Sequence, residues 1–382
     1  MQDNIVIGFD AKRAAQNNTG LGNYSRFIIG AVSSALPNAT LNLYTPSAKE
    51  SRMFNRVDEL RNTKVVYPEG SWKRFPSLWR TIEMGKAASR DGVQIFHGLS
   101  AELPYRVDKI KPRMKTIVTV HDLIYKRYPE LYGTIDRQIY FSKLKYACKV
   151  ADRIIATSAC TMRDIVNYCG VTSEKIDVVY QGVSQAYYNV PTALEKEFVR
   201  NTYGLPESFI LYVGTIEQRK NLMVLAQALR LLPESVSVVA IGRRTPYAEE
   251  VERYVERGGV SKRFKMLEGV PFRHLPTIYK MASLFVYPSR FEGFGIPIVE
   301  ALVSGVPVIA CTGSCLEEAG GPASIYVSPD DPSGLAKQIE TLMNHPDRRN
   351  EMIKAGRDYA IRFTPTAIAD ALLKVYDNVL RF

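Results

Sequence analysis

Twelve short apolar runs, set in two series of six, most constrain how this chain folds. The first series is NIVIGFDA (4–11), TLNLYT (40–45), VQIFHG (93–98), KTIVTVHD (115–122), DRIIATS (152–158) and KIDVVYQG (175–182). The second is FILYVGT (209–215), SVSVVAIG (235–242), FKMLEGV (264–270), SLFVYPS (283–289), VPVIACT (306–312) and SIYVSPD (324–330). The runs are rich in β-branched residues and are separated by helix-length amphipathic stretches. Such strands, apolar on both faces and alternating with helices, belong to parallel sheets covered on both sides. Two series predict two doubly wound α/β domains, with ligands at the carboxyl ends of the strands in a cleft between them. The rhythm lapses over 186–206, where Pro191 and Pro206 bracket a charged helix. The expected domains are therefore 1–188 and 189–365, with a closing amphipathic helix over 366–382 that packs back on the first.

Composition bears on partners. At 382 residues, 46% hydrophobic and 23% charged, the chain is expected to be globular. No apolar run approaches the roughly 20 residues of a membrane span. The N-terminal MQDNIVIGFDAKR enters a strand pattern at once, without a basic-then-apolar leader, so a cytoplasmic location is expected. Cys148, Cys160, Cys169, Cys311 and Cys315 form no paired C-x-x-C set and read as reduced thiols. The four histidines are scattered, and no metal site is expected. The net charge of +11 is one-sided: residues 1–190 hold 27 Lys and Arg against 17 Asp and Glu, and residues 191–382 hold 23 against 22. A basic first half suits an anionic partner. Within it, GSWKRFPSLWR (70–80) interleaves Trp72, Phe75 and Trp79 with Lys73, Arg74 and Arg80, a pattern that could rest on an anionic bilayer or fold as an ordinary half-buried segment.

Chemistry-bearing residues sit at strand ends. Gly20 and Gly22 open a helix after the first strand, where backbone N–H groups can meet an anion or simply start a helix. In TIEQRKN (215–221), Arg219 and Lys220 stand at a strand-to-helix turn, next to the positive end of a helix dipole. Acidic residues would suit that spot better as mere structure, so the pair suits a bound anion. In RFEGFGIPIVEALVSGVPVIA (290–310), Glu292 lies on a glycine-flanked loop and Glu300 in the helix that Pro297 opens. The amides of Gly295 and Ile296 would face a ligand, and two ionised carboxylates can accept from sugar hydroxyls. Glu300 could equally complement the dipole of a first turn, and Glu292 could be a solvated loop charge. His121 and Asp122 close the strand KTIVTV, and His97 closes VQIFHG.

Taken together, FEGFGIPIVEA with its paired glutamates, VGTIEQRKN, TGLGNY, VTVHDL and the tail GSCLEEAGGPASIYVSPDDPSGLAKQI resemble the retaining glycosyltransferases of family four, also called group 1, with the GT-B fold. The resemblance spans nearly the whole chain and is weakest over 46–90. It implies that Arg219 and Lys220 bind and stabilise the donor diphosphate, that Glu300 holds the ribose hydroxyls, and that Glu292 with the amides of Phe294 and Gly295 engages the transferred sugar. It also implies that His121 contacts that sugar from the other domain, that Gly20 approaches the phosphates, and that Val270 lies by the nucleobase. Thr215 stands where many relatives carry arginine, which leaves the diphosphate to Arg219. The expected activity is transfer of a hexose from a nucleotide sugar to a saccharide acceptor, with a lipid-linked acceptor and polysaccharide synthesis as its setting. No metal cofactor is expected. GDP-mannose is the first choice of donor, from a likeness to bacterial mannosyltransferases, and a UDP-sugar the second. A location peripheral to the inner face of the plasma membrane, reached through the basic domain, goes with it; a nucleic-acid partner does not. Alternatives are an epimerase of the same fold, a hydrolase or phosphorylase using the two glutamates, and a non-enzymatic surface binder.

Overall fold

The computed structural model describes residues 4–17, 19–48, 53–54, 57–110 and 114–381. It divides into two compact units, Met1–Gly182 with Thr364–Phe382, and Val183–Phe363. The division thus falls earlier than 188. The reason is Tyr187, whose buried ring packs edge-on against Tyr279 in the second unit.

The first unit holds a parallel sheet of β1 (Val6–Asp10), β2 (Thr40–Tyr44), β3 (Thr63–Val66), β4 (Ile95–Gly98), β5 (Lys115–Val120), β6 (Arg153–Ala156) and β7 (Ile176–Val178), in the order β3-β2-β1-β4-β5-β6-β7. The second holds β8 (Ile210–Val213), β9 (Val238–Ile241), β10 (Phe264–Leu267), β11 (Leu284–Tyr287), β12 (Val308–Cys311) and β13 (Ile325–Val327), in the order β10-β9-β8-β11-β12-β13. Every pairing is parallel, for example Ile7 against Leu41 and Phe285 against Val308. Strands β4, β9, β11 and β12 are buried along their whole length, as apolar runs covered by helices on both faces require. Strand β3 has no counterpart among the twelve runs. It is a four-residue edge strand, TKVV, with only half-buried or exposed positions, so its sequence carries little apolar signal.

Both orders reverse at one place, between β1 and β4 in the first unit and between β8 and β11 in the second. At such a reversal the connections leave to opposite sides and open a crevice at the carboxyl ends. The final helix, Pro365–Arg381, packs in the first unit, where Tyr376 is fully buried and its hydroxyl lies 2.7 Å from His97 Nδ1.

Candidate functional site

The loops after β8 and β11 bring the expected residues of the second unit together. After β8 the chain passes Gly214 and makes a single 3-10 turn, Gln218–Lys220, before Asn221 caps the helix Leu222–Leu229. Asn221 takes a left-handed conformation, φ 56°, which a short amide side chain tolerates, and donates through Nδ2 to Pro329 O. The turn separates the two cations from the helix proper, a detail that strand-then-helix reasoning does not provide.

Glu292, after β11, is not a solvated loop charge, one of the two readings that its sequence allows. Its Oε1 accepts from Arg219 Nη1 at 2.9 Å, Lys220 Nζ at 3.0 Å, Tyr287 Oη at 3.0 Å and Ser289 Oγ at 2.8 Å. Arg219 is further held by Glu217 at 2.5 Å and by Phe291 O. Lys220 Nζ donates to Tyr287 Oη at 2.8 Å. The three charged side chains are only 10–14% exposed. Burial by itself pushes the Glu292 carboxyl up, but Lys220 and Arg219 more than reverse this and hold it at about 2. Burial likewise disfavours the Arg219 charge, and Glu292 and Glu217 restore it, leaving the group more firmly protonated than usual. The thiol of buried Cys315 donates to the carbonyls of Glu292 (3.0 Å) and Phe294 (3.1 Å), which ties the loop down from beneath.

The helix Ile296–Ser304 begins at the glycine-flanked turn, with Gly295 as its N-cap at φ 112°. A side chain there would be strained, and its Cβ would come within 3.0 Å of Leu316. The start leaves the Ile296 amide at the helix N-terminus. Phe294 is buried against Phe363, so its side chain is structural. Glu300 is the fifth helical residue and lies beyond the first turn, which removes the simple dipole explanation. Its Oε2 accepts from Tyr279 Oη at 2.8 Å. Burial raises its carboxyl to about 7, while Tyr279 and Tyr187 pull the other way. Val270 is half-buried just after the edge strand β10, beyond Gly269 at φ 71°.

In the first unit, His121 follows β5. Its Nε2 lies 2.9 Å from Leu99 O, which can only accept, so Nε2 carries the proton. Nδ1 then accepts from the Gln181 amide at 3.1 Å. Burial lowers the ring to about 4, so it is neutral at pH 7. Both nitrogens have partners, and a ligand contact requires Gln181 to yield. His97 lines no site: it is a core residue fixed by Tyr376 and by Thr119 at 2.8 Å. Gly20 is exposed at the start of the helix Gly20–Ala35, with nothing within 4 Å of where a Cβ would stand. The sterically required glycine is Gly22, whose Cβ would fall 1.8 Å from Asn17 O. Asn17 Oδ1 accepts from Thr19 N and Gly22 N, and the buried guanidinium of Arg26 pins Ala14 O, Asn17 O and Met53 O.

Over 70–80 two of the three aromatics follow the half-buried reading of the segment. Trp79 is buried, Trp72 packs on the core, and Arg80 turns inward to Asp10. Of the three aromatics only Phe75 is exposed, with Leu78 and Ile82 beside it in sequence. A second apolar set lies at and before the helix Thr134–Val150: Leu131, Tyr132, Ile135, Ile139 and Tyr140 are exposed, Ile135 by 74%. Exposed Tyr105 links the two, donating its N–H to Thr81 O and holding its ring tilted 5.7 Å from that of Tyr146. Among the described residues no helix is long and apolar enough to cross a membrane.

Comparison with known proteins fits this arrangement. Residues 195–359 match the family described as "Glycosyl transferases group 1", and residues 33–187 match "Glycosyltransferase Family 4". The O-antigen chain mannosyltransferase B of Escherichia coli is 32% identical over 251 residues, which is 64% of this chain and 64% of that one. The O-antigen chain mannosyltransferase RfbU of Salmonella typhimurium is 28% identical over 60% of this chain and 61% of its own. The matched stretch therefore spans less than two thirds of either relative. Among solved structures, Anabaena HepE in complex with UDP and glucose superposes with a TM-score of 0.75 at 18% identity, covering 98% of this chain and 99% of that one. WaaG, a glycosyltransferase involved in lipopolysaccharide biosynthesis, superposes with a TM-score of 0.70 at 16% identity, covering 97% and 99%. Two doubly wound sheets with reversed strand orders, the superpositions, and family models that together match most of the sequence lead to one statement: the chain belongs to the group 1 (family 4) glycosyltransferases and has the GT-B fold.

Proposed function

We propose that this protein transfers a hexose from a nucleotide sugar to a saccharide acceptor with retention of anomeric configuration. The observation that carries the proposal is the convergence of Arg219, Lys220 and Glu292 within 3.0 Å at the reversal between β8 and β11. Charge builds on a diphosphate as it leaves, and fixed cations stabilise that charge best where water is scarce. Arg219 and Lys220 take this role, so product should form in the presence of a chelator. Among the described residues no hydrogen bond reaches Glu292 Oε2, which is left for a sugar hydroxyl together with the amides of Phe294 and Gly295. Glu300 receives the ribose hydroxyls, and Val270 borders the base. Mannose from GDP-mannose is the preferred donor, because the relatives above are named mannosyltransferases. A UDP-sugar is the second reading, favoured by the UDP bound in the superposed HepE. Titration calorimetry with GDP, UDP and their sugars names the donor. Proton NMR of the product then reads the anomeric outcome, and inversion would overturn retention.

Binding should depend on pH with a definite sign. An ionised carboxylate accepts from a diol better than a neutral one. With the Glu300 carboxyl at about 7, nucleotide affinity rises as pH increases through 7 and levels off above it. Glu300→Gln should bind more weakly and flatten the profile. A wild-type profile already flat between pH 6 and 8 would separate Glu300 from the ribose.

The acceptor is proposed to be lipid-linked, with the first unit meeting an anionic membrane from the cytoplasmic side. Exposed Phe75, Leu78, Ile135 and Ile139 supply apolar contact, and Lys73, Arg74 and Lys145 supply charge. Vesicles containing phosphatidylglycerol should sediment the protein at low salt and release it at high salt, and Ile135→Asp with Ile139→Asp should abolish binding. Equal recovery with neutral vesicles would remove the electrostatic part.

A further inference from the structure

The reading above gives Glu292 a sugar hydroxyl through Oε2, but Oε1 is engaged elsewhere. Four donors converge on that single oxygen, two of them the cations that the diphosphate needs. The other two donors, Tyr287 and Ser289, are fully buried, so the carboxylate is fastened in this position from the protein side. Cys315 fixes the Glu292 carbonyl as well. Glu217 takes the remaining face of Arg219. Counted locally, Arg219 and Lys220 are balanced by Glu217 and Glu292 before any ligand arrives.

That balance has a consequence for turnover. Two uncompensated cations would stabilise the departing diphosphate, but they would also retain it. The nucleoside diphosphate carries more negative charge than the sugar ester it came from, so product benefits most from excess positive charge. We propose that Glu292 is a positioning residue for the diphosphate site, whose fixed negative charge limits the grip of Arg219 and Lys220 on the nucleoside diphosphate product and so sets the rate of its release. The inference rests on the transferase reading and adds a second duty to the residue.

The decisive comparison is Glu292→Gln against Glu292→Asp. Glutamine keeps the size and an acceptor oxygen but loses the charge; aspartate keeps the charge. Calorimetry with GDP and with UDP, whichever binds wild type, should show Glu292→Gln binding the diphosphate about tenfold more tightly, with a steeper dependence on salt. Glu292→Asp, which keeps the charge, should bind the diphosphate more weakly than Glu292→Gln. Stopped-flow turnover of Glu292→Gln should show a fast first transfer followed by slow release, with kcat reduced more than the rate of the first transfer. Far-UV circular dichroism checks the fold of both variants. Diphosphate binding unchanged or weakened in a folded Glu292→Gln, with only the KM for the nucleotide sugar raised, would overturn the inference and leave Glu292 acting on the sugar alone; so would a Glu292→Gln that fails to fold while Glu292→Asp gains affinity. Failure of wild type to bind either nucleoside diphosphate would instead overturn the transferase reading, and this inference with it.

Discussion

Lys220→Ala is expected to lower kcat by roughly 10²–10³-fold, the cost of removing one preorganised donor from a developing anion. The geometry explains why so much rests on one ammonium group. The lysine stem passes over Gly214, where any side chain would crowd it: a Cβ would lie 3.1 Å from Lys220 Cδ. Its head is then held by Tyr287 Oη at 2.8 Å and Glu292 Oε1 at 3.0 Å. The charge is therefore in place before the reaction begins and does not reorganise during it. An interaction that strengthens as the bond to the diphosphate breaks acts on kcat more than on KM. Lys220→Arg should not rescue the loss, because a planar guanidinium cannot occupy the space of a compact ammonium between Gly214 and the Tyr287 ring. Arg219 remains to pair with Glu292, so the variant should fold. Steady-state rates at saturating nucleotide sugar measure the effect, and turnover close to wild type would take Lys220 out of the chemistry.

What the sequence made legible here follows from what is local. The strands were visible because each is a short continuous apolar run; β3, at an edge with no fully buried position, was not. The residues of the loop after β8 were visible because two adjacent cations at a strand end are unusual. Their partners were not. Glu292 lies more than seventy positions from Arg219, and only the adjacency of β8 and β11 in the sheet makes them neighbours. Tyr287 and Ser289 sit within SLFVYPS, where they look like strand filler, and nothing in the pattern marks their hydroxyls as aimed at a carboxylate. Cys315 was read only as one of five reduced thiols; it is buried, and it also fastens the loop. Glu300 was counted into the first turn because Pro297 was taken as the first helical residue, which makes it the fourth; the helix begins at Ile296, which makes it the fifth. Its tyrosines come from 187 and 279, distances that no local pattern can bridge.

The first unit holds the clearest case of such hidden pairing, and it yields the largest expected effect on stability. Asp10 ends β1 and Glu102 follows β4, the two strands that flank the reversal. Between them lies Arg80, carried by a π-helical turn, Trp79–Glu83, within the stretch whose sequence resembles the family least. Wider turns of this kind are rare and redirect side chains; this one sends Trp79 into the core and Arg80 to the sheet. Arg80 Nη2 donates to Asp10 Oδ2 at 2.6 Å and Nε to the same oxygen at 2.9 Å, while Nη1 pairs with Glu102. The side chains of Asp10 and Arg80 are 4% and 11% exposed. Removing one member of a buried pair leaves the other charged without its main partner, which costs far more than the intact pair contributes. Asp10→Ala should therefore destabilise the first unit by about 3 kcal/mol, toward the low end for buried pairs because Glu102 remains. The double variant Asp10→Ala with Arg80→Met should recover part of that loss, since it leaves no buried cation unpaired and Glu102 keeps Lys143 at 3.4 Å. Because the chain has two units, unfolding is followed in urea by hydrogen exchange of first-unit amides, which separates the transitions. A single variant that unfolds with wild type, or a double variant as unstable as the single, would mean that Arg80 escapes to water when Asp10 is gone and that the π-helical turn, not the ion pair, holds this corner of the sheet.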